Sequence, residues 1–240
     1  MKLQRSLGNL GNLGNLQTGE SLPWYTRLLR PYMTATPASV PMELRGETES
    51  SLVLRPTLLG KVFRPNLSRL YPEQVQRLRG LLRKNIDVGM LAGAFAGDIT
   101  ELGVLSTRLI TNTGVLFLAA AFAGVATISN MKYHGFGTGT AAEGVAQTAL
   151  QTEFTTEYAV DSTRPTGSQS NTVVMPAVYT TVGTFSPDSG GTLAVTEHGI
   201  FSGASGANTM WDRSVFAAVN LVAGSDSLQV TYNLTLTAGG

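Results

Sequence analysis

The sequence predicts a mainly β protein: an antiparallel β-sandwich or jelly-roll-like domain with one or two short helices, preceded by a long extended N-terminal arm. Three observations carry this. Beyond about Met90, short runs rich in β-branched and aromatic residues recur between Gly-, Ser-, Pro- and Asp-rich breaks. In the last run, Leu228, Val230, Tyr232, Leu234 and Leu236 alternate with Gln229, Thr231, Asn233 and Thr235, the pattern of a strand with one buried and one wet face. The first ninety residues differ in kind: they hold thirteen Lys and Arg against six Asp and Glu, whereas the remainder holds four against ten. The expected division is therefore an arm over 1–90 and a β-sandwich domain over 91–240.

A chain of 240 residues accommodates one large domain, or one of about 150 residues with an appendage. Charged residues make up 14% of it, against about 25% in ordinary soluble proteins, which suits a protein living in an assembly. There is no cysteine, hence no disulfide, thiolate nucleophile or cysteine metal site. The N-terminus lacks the apolar run of a secretory signal.

The arm opens on a three-residue repeat, Leu7-Gly8-Asn9 through Leu16. Its period matches an extended, polyproline-like chain that aligns Leu7, Leu10, Leu13 and Leu16, and its glycines make ordering costly. Two readings stay open, a tail that orders in a partner's groove and an unstructured terminus. From 17 to 69, prolines at 23, 31, 37, 41, 56 and 65 interrupt regular structure among Trp24, Tyr25, Tyr32 and Phe63. An extended arm laying apolar side chains on another surface explains both features; a loop wrapping its own domain is the alternative. Arg27, Arg30 and Arg64 add charge to that surface.

Tyr71-Pro72-Glu73 then begins an amphipathic helix near 72–84, with proline in the first turn and Val75, Leu78, Leu81 and Leu82 on one face. Arg77, Arg79 and Arg83 lie mostly on others and favour docking on an acidic protein surface over nucleic acid, since no block of like charge occurs.

Within the β region, strands are expected at Val104–Thr111, Thr127–His134, Phe154–Val160, Val173–Phe185, Thr192–Phe201, Met210–Val219 and Ser227–Thr237. Val115–Ala126 is expected to be a buried helix, too short for a membrane span, and Ala141–Leu150 a second helix.

Chemistry is concentrated in Thr196–Phe216, TEHGIFSGASGANTMWDRSVF. Glu197 and Asp212 are the right types for a hydrolase pair if they lie about 5–9.5 Å apart, and His134, His198 and Glu197 for a metal. Neither histidine has a ligand-type spacing. The competing account makes the stretch a hairpin with a Gly-rich connection, Glu197 facing Arg213 across it and Trp211 covering a sheet edge. Gly135-Phe136-Gly137-Thr138-Gly139 lacks the third dinucleotide glycine and the P-loop ending; its glycines are expected to permit a φ-positive passage from strand to helix. No catalytic residue, cofactor or metal is assigned.

The C-terminal half resembles a group of tailed-bacteriophage virion proteins. The resemblance rests on the order of blocks Lys132-Tyr133-His134 with Gly137-Thr138-Gly139-Thr140, Thr148-Ala149-Leu150, Thr196-Glu197-His198-Gly199-Ile200-Phe201, Trp211-Asp212-Arg213 and Asp226-Ser227-Leu228, over about 128–237. It implies a non-enzymatic virion component, either a capsid cement or decoration protein or a tail or head fibre adaptor. The expected partners are the major capsid protein or other virion proteins and further copies of the chain, a trimer included, with membrane and nucleic acid disfavoured. The arm supplies the expected contact residues: Leu7, Leu10, Leu13, Leu16, Trp24, Tyr25, Arg27, Arg30, Tyr32, Phe63, Arg64, Arg77, Arg79 and Arg83.

Overall fold

The computed structural model describes residues 51–84, 86–107 and 109–239. They form a mainly β fold with two antiparallel sheets. The strands are β1 (Ser51–Pro65), β2 (Gly97–Ser106), β3 (Tyr133–Gly137), β4 (Ser168–Asn171), β5 (Ala177–Phe185), β6 (Thr192–Phe201), β7 (Met210–Val222) and β8 (Ser227–Gly239); the helices are α1 (Pro72–Leu82), α2 (Val88–Ala94) and α3 (Asn112–Phe122). One sheet has the order β2-β1-β8-β5-β4 and the other β3-β6-β7.

The first correction concerns the domain boundary. β1 is an interior strand of the larger sheet, paired with β8 from Ser51↔Gly239 to Phe63↔Ser227 and with β2 on its other side. Pro56 had argued against a strand here, because proline cannot donate to a ladder. The register resolves this: β2 pairs with β1 only from Leu58 onward, so Pro56 occupies a stretch with a partner on one side only, and Pro65 is the last strand residue. The β fold thus begins forty residues before the expected boundary at 91.

Helix α1 forms where the sequence places it. Pro72 is in its first turn, and the backbone N–H of Tyr71 donates to Gln74 Oε1 at 2.9 Å. Asp87 caps α2, accepting from Gly89 and Met90 at 2.8 and 3.2 Å. Leu78, Leu82, Val88, Leu91 and Phe95 close over Phe63 in a small cluster of their own. This helical layer reaches the outer face of the large sheet, where Thr184 Oγ1 donates to the Ile86 carbonyl at 3.5 Å. The nominally wet face of β8 is consequently buried at Ser227 and Gln229 and opens to solvent only from Thr231 onward.

Between the sheets lies the main core. Leu58 and Val62 of β1, Phe185 of β5, and Leu228, Val230, Tyr232 and Leu234 of β8 meet Phe136 of β3, Val195 and Ile200 of β6, and Trp211, Val219 and Leu221 of β7. Phe185 stacks on Phe136 and Phe154 at centroid distances of 5.0 and 5.2 Å.

Several local expectations fail. β2 runs over Gly97–Ser106 instead of 104–111, and β3 starts at Tyr133 after a 3₁₀ turn at Ile128–Asn130. Phe154–Val160 is irregular: Phe154 and Tyr158 turn into the core without strand pairing along the run. Residues 141–150 form no helix. Helix α3 exists, but it is not buried: Leu116 and Phe122 are 68% and 80% exposed.

Candidate functional site

Thr196–Phe216 is a hairpin, as its Gly-rich centre predicts: β6 and β7 pair from Thr192↔Val222 to Phe201↔Met210, joined by 202–209. It brings Glu197 and Arg213 together and places His198 and Asp212 on the same two strands, and all four are at most 1% exposed.

Glu197 lies under the 138–152 loop. Its Oε1 accepts from the backbone N–H of Gly139 at 3.0 Å and of Thr152 at 2.7 Å, and its Oε2 accepts from Gln151 N–H at 3.0 Å and Arg213 Nε at 2.9 Å. Arg213 Nη2 stands 2.8 Å from the same oxygen. Arg213 Nη1 donates to the Ala141 carbonyl at 3.0 Å and to Gln147 Oε1 at 3.1 Å. Residues 141–150 make other bonds in place of a helical ladder: the Ala141 carbonyl accepts from Arg213, the Ala141 and Gly144 N–H groups donate to Gln151 Oε1 and Gln147 Oε1, each at 2.9 Å, and the Val145 carbonyl accepts from the Asn112 N–H at 2.7 Å.

None of Gly135, Gly137 and Gly139 has a positive φ, contrary to the expected φ-positive passage. Each has a close neighbour instead: a Cβ on Gly139 would stand 2.5 Å from Glu197 Oε1, one on Gly137 would run into the Thr152 carbonyl and stand 2.6 Å from Glu197 Oε1, and one on Gly135 would stand 2.6 Å from the Phe201 ring. The loop cradles the chain's own carboxylate where a P-loop would cradle phosphate.

The histidines do meet, but in the core between the sheets. His134 Nδ1 and His198 Nε2 are 3.0 Å apart, and His134 Nε2 is 3.0 Å from Thr181 Oγ1 on β5. A Cβ on Gly183 would run into the His134 ring. Burial pushes His134 down to about 3, and burial with the neighbouring His134 holds His198 well below its ordinary value, so both rings are neutral at pH 7. Among the described residues, no group of three or more His, Asp or Glu is placed to hold a metal.

Asp212 accepts from Ser214 Oγ at 3.1 Å through Oδ1, while Oδ2 is buried without a hydrogen-bond partner. Burial raises it to about 7, against the lowering effect of Ser214. With both carboxylates sealed from solvent, the Glu197–Asp212 pair has no access for a sugar and a water, which paired-carboxylate hydrolysis requires. Trp211, placed at a sheet edge by the sequence, is buried, and its Nε1–H donates to Tyr232 Oη at 2.8 Å, linking β7 to β8 across the core.

A second ion pair escaped the sequence reading. Arg164 Nε and Nη2 donate to the two carboxylate oxygens of Glu153 at 2.6 and 2.8 Å, Nη1 donates to the Gly203 carbonyl at 3.1 Å, and the guanidinium lies 3.7 Å from the Phe201 ring centre. Only the isolated Glu and Arg, eleven residues apart, are visible in sequence.

Of the expected contact residues, Leu7, Leu10, Leu13, Leu16, Trp24, Tyr25, Arg27, Arg30 and Tyr32 lie outside the described residues. Phe63 is a correction: it is fully buried beneath α1 and α2, so it serves the fold and is closed to a partner. Arg64 is exposed and turned toward its own domain, with Nη2 donating to the Asn220 carbonyl at 3.1 Å and Nε 3.6 Å from Asp226 Oδ2. Arg77 and Arg79 are exposed on α1, and Arg83 is exposed at its C-cap.

The surface that the sequence reading missed is apolar. Leu116, Phe122 and Val125 (83% exposed) stand out around α3, and Val173, Val174 and Met175 form a second exposed group before β5. The signal of the α3 group was an uncharged run from Leu109 to Met131, which hydrophobicity alone assigns to the interior. Among the described residues no helix is long and apolar enough to cross a membrane. Set against models of protein families, curated proteins and solved structures, the chain matches none.

Proposed function

We propose that this chain is a non-enzymatic structural protein of a tailed-bacteriophage particle: a capsid cement or decoration protein whose N-terminal arm anchors to neighbouring shell subunits, the two sheets forming a β-sandwich that stands on the shell. One observation carries the reading. The residues richest in chemistry, Glu197, Arg213, His134, His198 and Asp212, are sealed inside the fold and bind its own strands and loops, while the exposed surface around α3 is apolar. That distribution serves assembly better than turnover. The block resemblance over 128–237 supplies the particle, and the low charge content agrees with a life among neighbours.

The arm of this proposal is 1–50, because β1 is an interior strand of the larger sheet. Its test is a chain starting at Ser51, offered to particles that lack the protein. Loss of binding with retained β signal in circular dichroism supports the arm, and undiminished binding sinks it. A fibre or adaptor role is the second reading, favoured by the exposed Val173–Met175 group at the tip of a connection. Immunogold labelling separates the two: labels spread over the head support cement, and labels at one vertex support the fibre.

A further inference from the structure

We propose that two copies of this chain associate through α3, each inserting Phe122 into an apolar cavity of the other. The cavity has a volume of about 150 Å3 and lies between the sheets at the α3 side, lined wholly by apolar and aromatic side chains, among them Leu54, Leu118, Ile128, Met131, Trp211 and Leu236. A cavity of about that size and lining stays dry and takes a benzene-sized guest. Ile128 at its border is half exposed.

The matching guest stands on the same helix. Leu118 lines the cavity, and Phe122 follows one turn later on the same face, 80% exposed and not among the lining residues. Knob and hole therefore share one surface, which is the arrangement a two-fold contact needs: Phe122 meets the partner's cavity, and the partner's Phe122 meets this one. The charge pattern points to a second copy as the occupant. No charged residue occurs between Leu109 and Met131, so an acidic or basic partner would find no charge on α3 or the turn after it to pair with, whereas a second copy presents an equally apolar helix. Leu116 and Val125 extend the apolar contact on either side of Phe122. The inference holds for the protein in solution, whatever particle it serves, so its failure leaves the cement reading standing and the reverse is also true.

Sedimentation equilibrium of the full chain tests it. The wild type is expected to show a concentration-dependent dimer. Phe122→Ala, which removes an exposed side chain, and Ile128→Trp, which plugs the cavity border, should each weaken dimerisation by about tenfold or more. Mixing the two variants restores one of the two contacts, Phe122 of the Ile128→Trp copy in the open cavity of the Phe122→Ala copy, and should give tighter association than either variant alone. A wild type that stays monomeric overturns the proposal. So does a Phe122→Ala protein that associates as well as the wild type, which would assign self-association to another surface, such as the N-terminal segment or the Val173–Met175 group.

Discussion

Glu197 and Arg213 form their ion pair as a diagonal, two residues out of register: across the β6–β7 ladder Glu197 is opposite Val215, and Arg213 is opposite Gly199. The long guanidinium reaches diagonally to the carboxylate. An exposed cross-strand pair contributes at most about 1 kcal/mol. This one is buried, and its value depends on both partners being present. Glu197→Gln, which strands the Arg213 charge, should destabilise the fold by about 3–5 kcal/mol in urea denaturation. Glu197→Gln with Arg213→Met should cost clearly less than the sum of the single changes; strict additivity would refute the coupling.

Gly139 carries the same site from the loop side. Gly139→Ala places a methyl against the Glu197 carboxylate and should cost about 1–3 kcal/mol, whereas Gly80→Ala, at a helical glycine with open space around it, should be neutral or stabilising. Equal effects at the two positions would show that backbone freedom, and not the carboxylate, accounts for the glycine.

The buried titratable groups give opposite pH slopes. Folded His134 titrates near 3 against an ordinary 6.5, so between these values the unfolded chain binds more protons and stability falls as pH drops. His198 acts in the same direction. Asp212 does the reverse: held near 7 against an ordinary 3.8, it keeps a proton that the unfolded chain has lost, and stability falls as pH rises from about 4 to 7. His134 and Asp212 each contribute a slope of about 1.4 kcal/mol per pH unit within these windows. Urea midpoints of Asp212→Asn should therefore climb more steeply than wild type from pH 4 to 6.5 and exceed it above pH 7. Parallel profiles would show that Asp212 is ionised throughout.

Tyr232 joins the sheets through Trp211. Tyr232→Phe leaves the indole N–H buried without an acceptor and should cost about 1–3 kcal/mol, with a shift in tryptophan emission in a Trp24→Phe background. An unchanged stability would mean that the indole finds another acceptor.

Much of the β order was legible because period-two alternation and Gly-rich turns are local signals. β6 falls on Thr192–Phe201 as expected, and β7 and β8 are each extended by a few residues. β1 was illegible for a nonlocal reason: whether Pro56 is tolerated depends on where β2 stops pairing, at Ser106, far along the chain. The irregular path of 141–150 is partly nonlocal, because Arg213 from the hairpin binds the Ala141 carbonyl and the Asn112 N–H binds that of Val145.

By itself, then, the sequence determined a β-rich chain with its last hairpins in place, an amphipathic helix near 72–84, which ends at Leu82, and a low charge content, since each of these follows from composition or short-range periodicity. Only the tertiary structure decided that the Glu197–Arg213 stretch is a buried clasp, that Phe63 belongs to the core and that the apolar α3 faces outward. Burial is a property of what packs on a residue from elsewhere in the chain, and hydrophobicity read along the sequence cannot distinguish a face turned to the core from one turned to another molecule.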